Sequence, residues 1–296
     1  MLTQQSIPNI LEDYFRMIFF NDFMQYPQEW EGYYNIADSQ RWKEDDSAVG
    51  TLGLWQVRGE SEPIVYDDPP AGFDATYTHE EWALGHQVTQ IAREDDRWNI
   101  IGRVPGLLGQ SLNETLNREG AVDFNNGFSS SFTGGDGQPL FSLSHPLWGG
   151  GTEQNTLDNP MDLDVDSLEQ ALIDIAATTD DRGKRIALRP KCLIGSNSLD
   201  FTAKRILQST QDPDSANNAI NPAQGILKWE PWHYLEDPDA WYIQCRQHKM
   251  FWFWRVRPMY SRSSEFDIDV WKYKGRTRFS HGWSDWPGMY ASPGGA

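Results

Sequence analysis

Two cysteines, six histidines and forty-three carboxylates are the side chains of this 296-residue chain that could carry chemistry, and their spacing argues against most of it. Cys192 and Cys245 lie far apart without a Cys-x-x-Cys spacing, so they read as buried thiols rather than a disulfide or metal site. His145 precedes Pro146 with no Cys, Glu or second His at ligand spacing, which is the pattern of a structural histidine. Fourteen tryptophans beside an excess of carboxylates open one enzymatic reading. Indole faces stack on sugar rings, and a carboxylate pair flanking a glycosidic bond cleaves it, so a carbohydrate-active enzyme or binding module is an alternative. Asp267 and Asp269 share one face of an expected strand, but no tryptophan platform frames them, and strand-edge solubility is the simpler account. The strand–turn–helix after Arg185 has neither GxGxxG nor GxxxxGK, which excludes the common nucleotide sites. These residues predict no catalytic centre, no cofactor and no metal.

Composition sets the frame. With 39% hydrophobic and 23% charged residues the chain is globular, as one large domain or two modest ones. The net charge of −18 is uneven: from Trp241 onward nine Lys/Arg face four Asp/Glu, leaving −23 on residues 1–240. Such a surface repels phosphate backbones and excludes a dedicated nucleic-acid reader. It fits ordinary solubility, or a protein that sits beside dense nucleic acid without sticking to it. The N-terminus lacks a basic region followed by an apolar run, and no uncharged run approaches the roughly 18 residues of a membrane helix. Neither secretion nor a membrane partner is expected.

The elements that must position everything else centre on an aromatic block from Trp241 to Tyr290. Its period-two alternation predicts a strand over Trp241–Val256 and a second in which Phe266, Ile268 and Val270 oppose Asp267, Asp269, Trp271 and Tyr273. Six of the fourteen tryptophans fall after residue 240, so packing centres here. At the other end, Ser6–Met24 predicts an amphipathic helix with Leu11, Phe15, Ile18 and Phe19 on one side. Phe20, Phe23 and Met24 widen that surface, so the helix must dock on its own domain or on a neighbouring subunit. Residues 27–50 read as an extended acidic arm. Alternation at Leu52, Leu54 and Gln56, and again from Trp82 to Val88, predicts a strand pair joined by a long segment with a DDPPAG turn. Such a hairpin cannot stand alone. A helix is expected from Arg97 through Trp98, Ile101, Leu108, Leu112 and Leu116 to Gly120, kinked at or beginning near Pro105. Beyond it come a GGDGQ turn, a strand LFSLSHP, a helix over Asp164–Thr178 with a capping box of Asp166 and Glu169, a strand Ile186–Ile194, a helix capped by Ser198, and a polar loop over 209–224.

Several segments share one more property. DDRWNIIGRVPGLLGQSLNETL, GDGQPLFSLSHPL, RIALRPKCLIGSNSLDFTAKRILQS and EFDIDVWKYKGRTRFSHGWSDWPGMYAS occur in this order over about 200 residues. Their order, the step from Leu140 to Pro146, and the closing aromatic strand resemble the major capsid proteins of tailed phages, above all the Mu-like major head subunits.

The resemblance implies an α+β chain of the Hong Kong 97 capsid fold. Its parts would be an N-terminal arm (1–50), an E-loop with flanking strands (51–96, tip near Asp67–Asp74), a peripheral domain with a long spine helix (97–160), an axial domain (161–240), and aromatic strands completing both (241–296). It implies a structural protein rather than an enzyme, one that forms hexamers and pentamers of itself and closes an icosahedral shell around double-stranded DNA in the virion. Portal, scaffolding or decoration proteins would be further partners, and packaged DNA would be met only by weak, non-specific proximity. Leu11, Phe15, Ile18, Phe19, Tyr66 and Phe73 would make assembly contacts. Some members of this fold join subunits through an E-loop lysine and an asparagine. Here no lysine lies between Lys43 and Lys184, and the pattern stops there. A phage tail or baseplate component is the remaining alternative.

Overall fold

The computed structural model describes residues 7–69, 71–96, 101–211 and 220–295; of residues 7–12 and of Phe266 it describes the backbone. In chain order the first half comprises α1 (Ile7–Phe23), β1 (Asn35–Asp38), β2 (Lys43–Val49), β3 (Ala71–Thr78), β4 (Glu80–Thr89), α2 (Gln90–Glu94), α3 (Val104–Asn125), β5 (His145–Pro146) and β6 (Thr152–Glu153). The second half comprises α4 (Val165–Ala177), β7 (Pro190–Gly195), α5 (Asp200–Gln208), β8 (Lys228–Pro231), β9 (Trp241–Cys245), β10 (Met250–Glu265), β11 (Val270–Trp283) and β12 (Met289–Ser292). The chain divides into two units, each built from three stretches. Unit 1 takes residues 1–44, 77–120 and 252–281; unit 2 takes residues 45–76, 121–251 and 282–296.

Unit 1 is built on a sheet in the order β1-β10-β11-β4. Along β11 the odd-numbered Tyr273, Gly275, Thr277 and Phe279 are buried, while Lys272 and Lys274 between them are exposed. The aromatic alternation therefore puts one face in the core and one in water. On the core side Phe15 and Phe19 of α1 pack with Leu108 of α3 and with Tyr260 and Tyr273 of the sheet. Trp252 stacks between Trp30 (3.9 Å between ring centres) and Phe279 (4.5 Å).

Unit 2 has a sheet in the order β12-β9-β7-β8, with β7 and β8 parallel and the other pairs antiparallel. The parallel pair needs a crossover, and α5 supplies it. Leu168 and Ile175 of α4, Ile206 of α5, and Leu193, Trp241 and Tyr290 of the sheet form one core. The Tyr290 hydroxyl donates to Asp174 Oδ2 at 2.6 Å.

Several local expectations are corrected. Residues 27–50 are not a plain arm: a 3-10 turn buries Trp30, and β1 and β2 follow. No strand forms at Leu52–Gln56, and its expected partner Trp82–Val88 lies in β4, which pairs with β11; β2 pairs with β3, and the loop between them lacks regular structure. The spine helix begins beside Pro105 but runs past Gly120 to Asn125, because buried contacts at Ala121 and Phe124 outweigh the glycine. Trp98 lies outside the described residues. Only His145–Pro146 of LFSLSHP is strand. The α4 capping box uses Asp164 and Ser167, two residues before the expected pair. The strand after Arg185 starts only at Pro190, and Ser196 rather than Ser198 caps the turn leading into α5. Residues 246–249 break the first aromatic strand. Phe266–Ile268 is a 3-10 turn closed by Asp269 at φ 47°, so Asp267 and Asp269 do not share a strand face.

Candidate assembly surfaces

The arm helix is locked to the spine helix by side chains at close quarters. Gly106 and Gly109 of α3 lie where a Cβ would strike Asp22 and the carbonyl oxygen of Phe19, at 1.9 and 2.3 Å. The glycines are there for close helix approach. One turn on, the Asn113 amide donates to the carbonyls of Phe23 (2.8 Å) and Tyr26 (3.1 Å), while Asn117 Oδ1 accepts from the Glu29 N–H (2.9 Å). Both asparagines are buried, and they satisfy backbone groups where α1 ends. Phe15 and Phe19 are thus buried inside unit 1, Ile18 is half-buried, and Tyr14 and Met17 face outward. The side chain of Leu11 lies outside the described residues.

A buried polar relay in unit 1 holds the roots of the β2–β3 ribbon. The Ser39 hydroxyl donates to Glu44 Oε1 at 2.6 Å, His79 Nε2 meets Ser39 Oγ at 2.8 Å, and the Ser280 hydroxyl meets His79 Nδ1 at 2.9 Å. Glu44 belongs to β2, His79 joins β3 to β4, and Ser280 belongs to β11, so Ser39 and one imidazole link these strands. Burial pushes the His79 pKa below the ordinary value, assisted by Arg278 and Arg255 and opposed by Glu44.

In unit 2 the loop 50–69 is anchored at its base and bare along its length. The Thr51 hydroxyl donates to Asp180 Oδ2 at 2.7 Å, Lys184 Nζ to the Leu52 carbonyl at 2.5 Å, and Arg182 pairs with Asp67 at 2.9 Å. Burial opposes ionisation of Asp180, but hydrogen bonds from Thr51 and from the Lys184 and Arg182 backbone prevail and hold it at about 2. The Gly53 N–H, then Arg182, likewise lower Asp67. Beyond these anchors Trp55 and Val57 are fully exposed, Tyr66 is 90% exposed, and Leu54 and Val65 are exposed. Phe73 is half-buried against Trp148, ring centres 5.0 Å apart.

Beside the anchors lies a cavity of about 590 Å³ lined by Thr51, Phe73, Trp148, Asp180, Lys184 and Trp286 among others. Within its lining Lys184 pairs with Asp180 and Lys249 with Asp285. His145, also in unit 2, is fully buried: Nδ1 meets Asp136 at 2.7 Å, Nε2 meets Asn155 at 3.0 Å, and the ring stacks on Trp286. Both ring nitrogens serve as brackets for loops. Cys192 and Cys245 are buried, free, and pushed by burial up to about 12. Among the described residues no cluster of His, Cys, Asp and Glu suits a metal ion, and no helix is long and apolar enough to cross a membrane.

The sequence pointed to the loop and the helix but missed the Asn113–Asn117 brace and the His79 relay. Asn113 and Asn117 stand one turn apart on a helix otherwise read for its leucines, and that buried polar pair was the available signal.

Solved structures share this architecture. The procapsid of bacteriophage JBD30 matches at a TM-score of 0.53 and 13% identity, over 98% of this chain and 76% of that one. The capsid of an empty GTA particle matches at 0.59 and 11% identity, over 92% of both chains. A structure from Microbacterium phage Oxtober96 matches at 0.53 and 14% identity, over 89% and 90%. No curated protein matches. Residues 74–292 match a family described as phage capsid protein. That span takes in β4, the spine helix, both aromatic strands and the whole sheet of unit 2, and the chain belongs to this phage capsid protein family.

Proposed function

We propose that this protein is the major head subunit of a tailed phage, assembling as hexamers and pentamers into an icosahedral shell around double-stranded DNA. The observation that carries the reading is the loop 50–69. Its base is fixed by Thr51, Lys184 and Arg182, while Trp55, Val57 and Tyr66 have no cover. Burying a large aromatic removes roughly 150–250 Å² from water, so a protomer that leaves two of them bare is built to be covered by another. Interfaces of this kind bury about 1,600 Å² or more. In that shell Tyr66 and Phe73 belong to the loop contact, and Ile18 with Leu11 borders the contact made by the arm, whose Phe15 and Phe19 fix the helix in place. The resemblance divides the chain into arm, E-loop, peripheral and axial parts of a Hong Kong 97 capsid, with portal, scaffolding or decoration proteins completing the particle. The role is structural rather than enzymatic.

Sedimentation velocity with negative-stain imaging tests this. Capsomers or closed shells are the expected result. A concentration-independent monomer with an intact fold overturns the reading.

A further inference from the structure

Every residue that lines the cavity beside the loop anchors belongs to unit 2. Its volume, about 590 Å³, falls within the range of about 300–1,000 Å³ that holds a drug-sized molecule. Four aromatic side chains, Phe73, Trp148, Trp283 and Trp286, stand in its wall. Their rings are fixed by packing: Phe73 on Trp148 at 5.0 Å, Trp283 on Phe132 at 5.5 Å, and Trp286 on His145 at 4.8 Å between centres.

The polar groups of that wall divide into two sets. The acceptors are occupied. Asp180 receives Thr51, Lys184 and two backbone N–H groups, and Asp285 receives Lys249 and the Trp286 N–H. Asp136 meets His145 and the Gln138 N–H, while Asp181 takes the Trp148 N–H. The donors are not occupied. The indole Nε1 atoms of Trp148, Trp283 and Trp286 make no hydrogen bond among the described residues. Trp283 and Trp286 are only 8% and 6% exposed, yet their nitrogens are not sealed in the core as those of Trp30 and Trp252 are. Arg185, also in the lining, makes no ion pair among the described residues. A buried donor without an acceptor is costly, so a wall of this kind favours an occupant that supplies one.

We propose that this cavity binds a flat aromatic molecule carrying one anionic acceptor, a carboxylate or a sulfonate. The four aromatic side chains take its ring system, and the indole N–H groups with Arg185 take the acceptor. A second anionic group would meet the carboxylates of Asp136 and Asp181, which restricts the ligand to a monoanion. Gly50, Thr51 and Leu54 line the same cavity as Asp180 and Lys184. An occupant therefore touches both the root of the loop and the turn that anchors it, and it slows their opening. The proposal concerns a single protomer and does not depend on the shell reading.

Fluorescence titration of the full-length protein with anilinonaphthalene sulfonate, an aromatic monoanion that brightens in apolar surroundings, tests it. Phenylnaphthylamine, the same ring system without the sulfonate, is the neutral control. One sulfonate dye per chain is expected. Trp148→Ala should weaken it at least about ten-fold. Arg185→Gln should weaken it about five-fold and leave the neutral dye within about two-fold of wild type. Val49→Trp places an indole at an exposed position of the lining and should weaken both dyes at least about ten-fold. Trp55→Ala with Tyr66→Ala, bare on the loop, should change neither. At saturation, hydrogen exchange of residues 50–54 should slow at least about three-fold. Arg185 and Val49 are exposed, and circular dichroism melting verifies that each variant folds.

A wild type that binds no dye overturns the proposal, as do many weak sites per chain. One-site binding that survives both Trp148→Ala and Val49→Trp, or that is lost with Trp55 and Tyr66, puts the dye elsewhere and overturns it too. Exchange that stays unchanged at saturation does the same. An Arg185→Gln chain that treats the two dyes alike overturns the anionic class. Shells that form normally alongside any of these failures leave the proposed function intact.

Discussion

The Thr51 hydroxyl donates to Asp180 Oδ2 at 2.7 Å, across 129 residues of sequence. That bond places the root of the exposed loop on the turn that follows α4, and Lys184 closes the same corner from the other side. An unanchored loop of this length would lose much of any docking energy to its own ordering. Pre-positioning the root removes part of that cost before a partner arrives.

Acid should release this anchor. The Asp180 carboxyl ordinarily titrates near 3.8 and is held at about 2 in the folded chain. A depressed acid contributes stability that is full above the unfolded value and is lost as pH falls through the folded one. Hydrogen exchange of residues 50–56, taken relative to the intrinsic amide rate at each pH, should therefore stay constant down to about pH 4 and accelerate between pH 4 and 2. Thr51→Ala should accelerate it at neutral pH, with a cost of about 1 kcal/mol for the lost bond. Exchange in the wild type that does not change between pH 4 and 2 would sink this assignment.

The arm helix should be part of unit 1 rather than an appendage. Phe19→Ala removes a fully buried ring beside Tyr260 and Leu108 and should cost about 3–5 kcal/mol in denaturant unfolding. Tyr14→Ala, at an exposed site on the same helix, should stay within about 0.5 kcal/mol. Gly109→Ala should also destabilise, because its methyl would lie 2.3 Å from the Phe19 carbonyl oxygen. Deleting residues 1–25 should expose the Leu108–Tyr260–Tyr273 surface and lower stability, not merely impair assembly. A truncated chain as stable as the full one contradicts this.

Histidine burial gives a second pH dependence. His79 and His86 are lowered from 6.5 by burial, and His248 is pushed to about 4 by burial and then by Lys191. A histidine kept neutral in the fold contributes stability that is full above 6.5 and declines as pH falls below it, where the unfolded chain takes up the proton. Around His79 the charges that matter are Glu44, Arg278 and Arg255. Urea unfolding should show stability falling as pH drops below 6.5, with a shallower slope in His79→Gln. An unchanged slope in that variant would rule His79 out.

Covalent joining of subunits is not expected. The loop has no lysine to attack a neighbouring asparagine, since none occurs between Lys43 and Lys184. The two cysteines are buried in the sheet of unit 2. Particles heated in SDS without reductant should run as one band at the 34.0 kDa monomer mass. A ladder of larger species would reveal a linkage of another kind.

The periodic elements were legible in the sequence, and the non-periodic ones were not. The spacing of Phe15 and Phe19, of Leu108 and Leu112, and of Trp252 and Trp254 reports faces, and those faces are where the alternation put them. What failed was pairing. Leu52 and Leu54 alternate like a strand, yet Trp82–Val88, the partner expected for them across a long loop, pairs with β11, and the polar KEDDSAV of β2 pairs with β3. Strand pairing is a tertiary choice that local propensity does not encode. The anchors of the loop 50–69 were illegible for the same reason, because Thr51 and Asp180 meet across 129 residues of sequence. Gly120 read as a stop because a glycine ends helices only where the next residues gain nothing by continuing, and Ala121 and Phe124 gain burial. Asp267 and Asp269 kept the alternation, but the 3-10 turn there broke it.

Both units close on the last fifty residues. Unit 1 needs residues 252–281 for the two central strands of its sheet, and unit 2 needs residues 282–296 for β12. During synthesis, therefore, neither sheet is complete until these residues have been made. The arm helix, the spine helix and the exposed loop leave the ribosome before the strands that organise them exist.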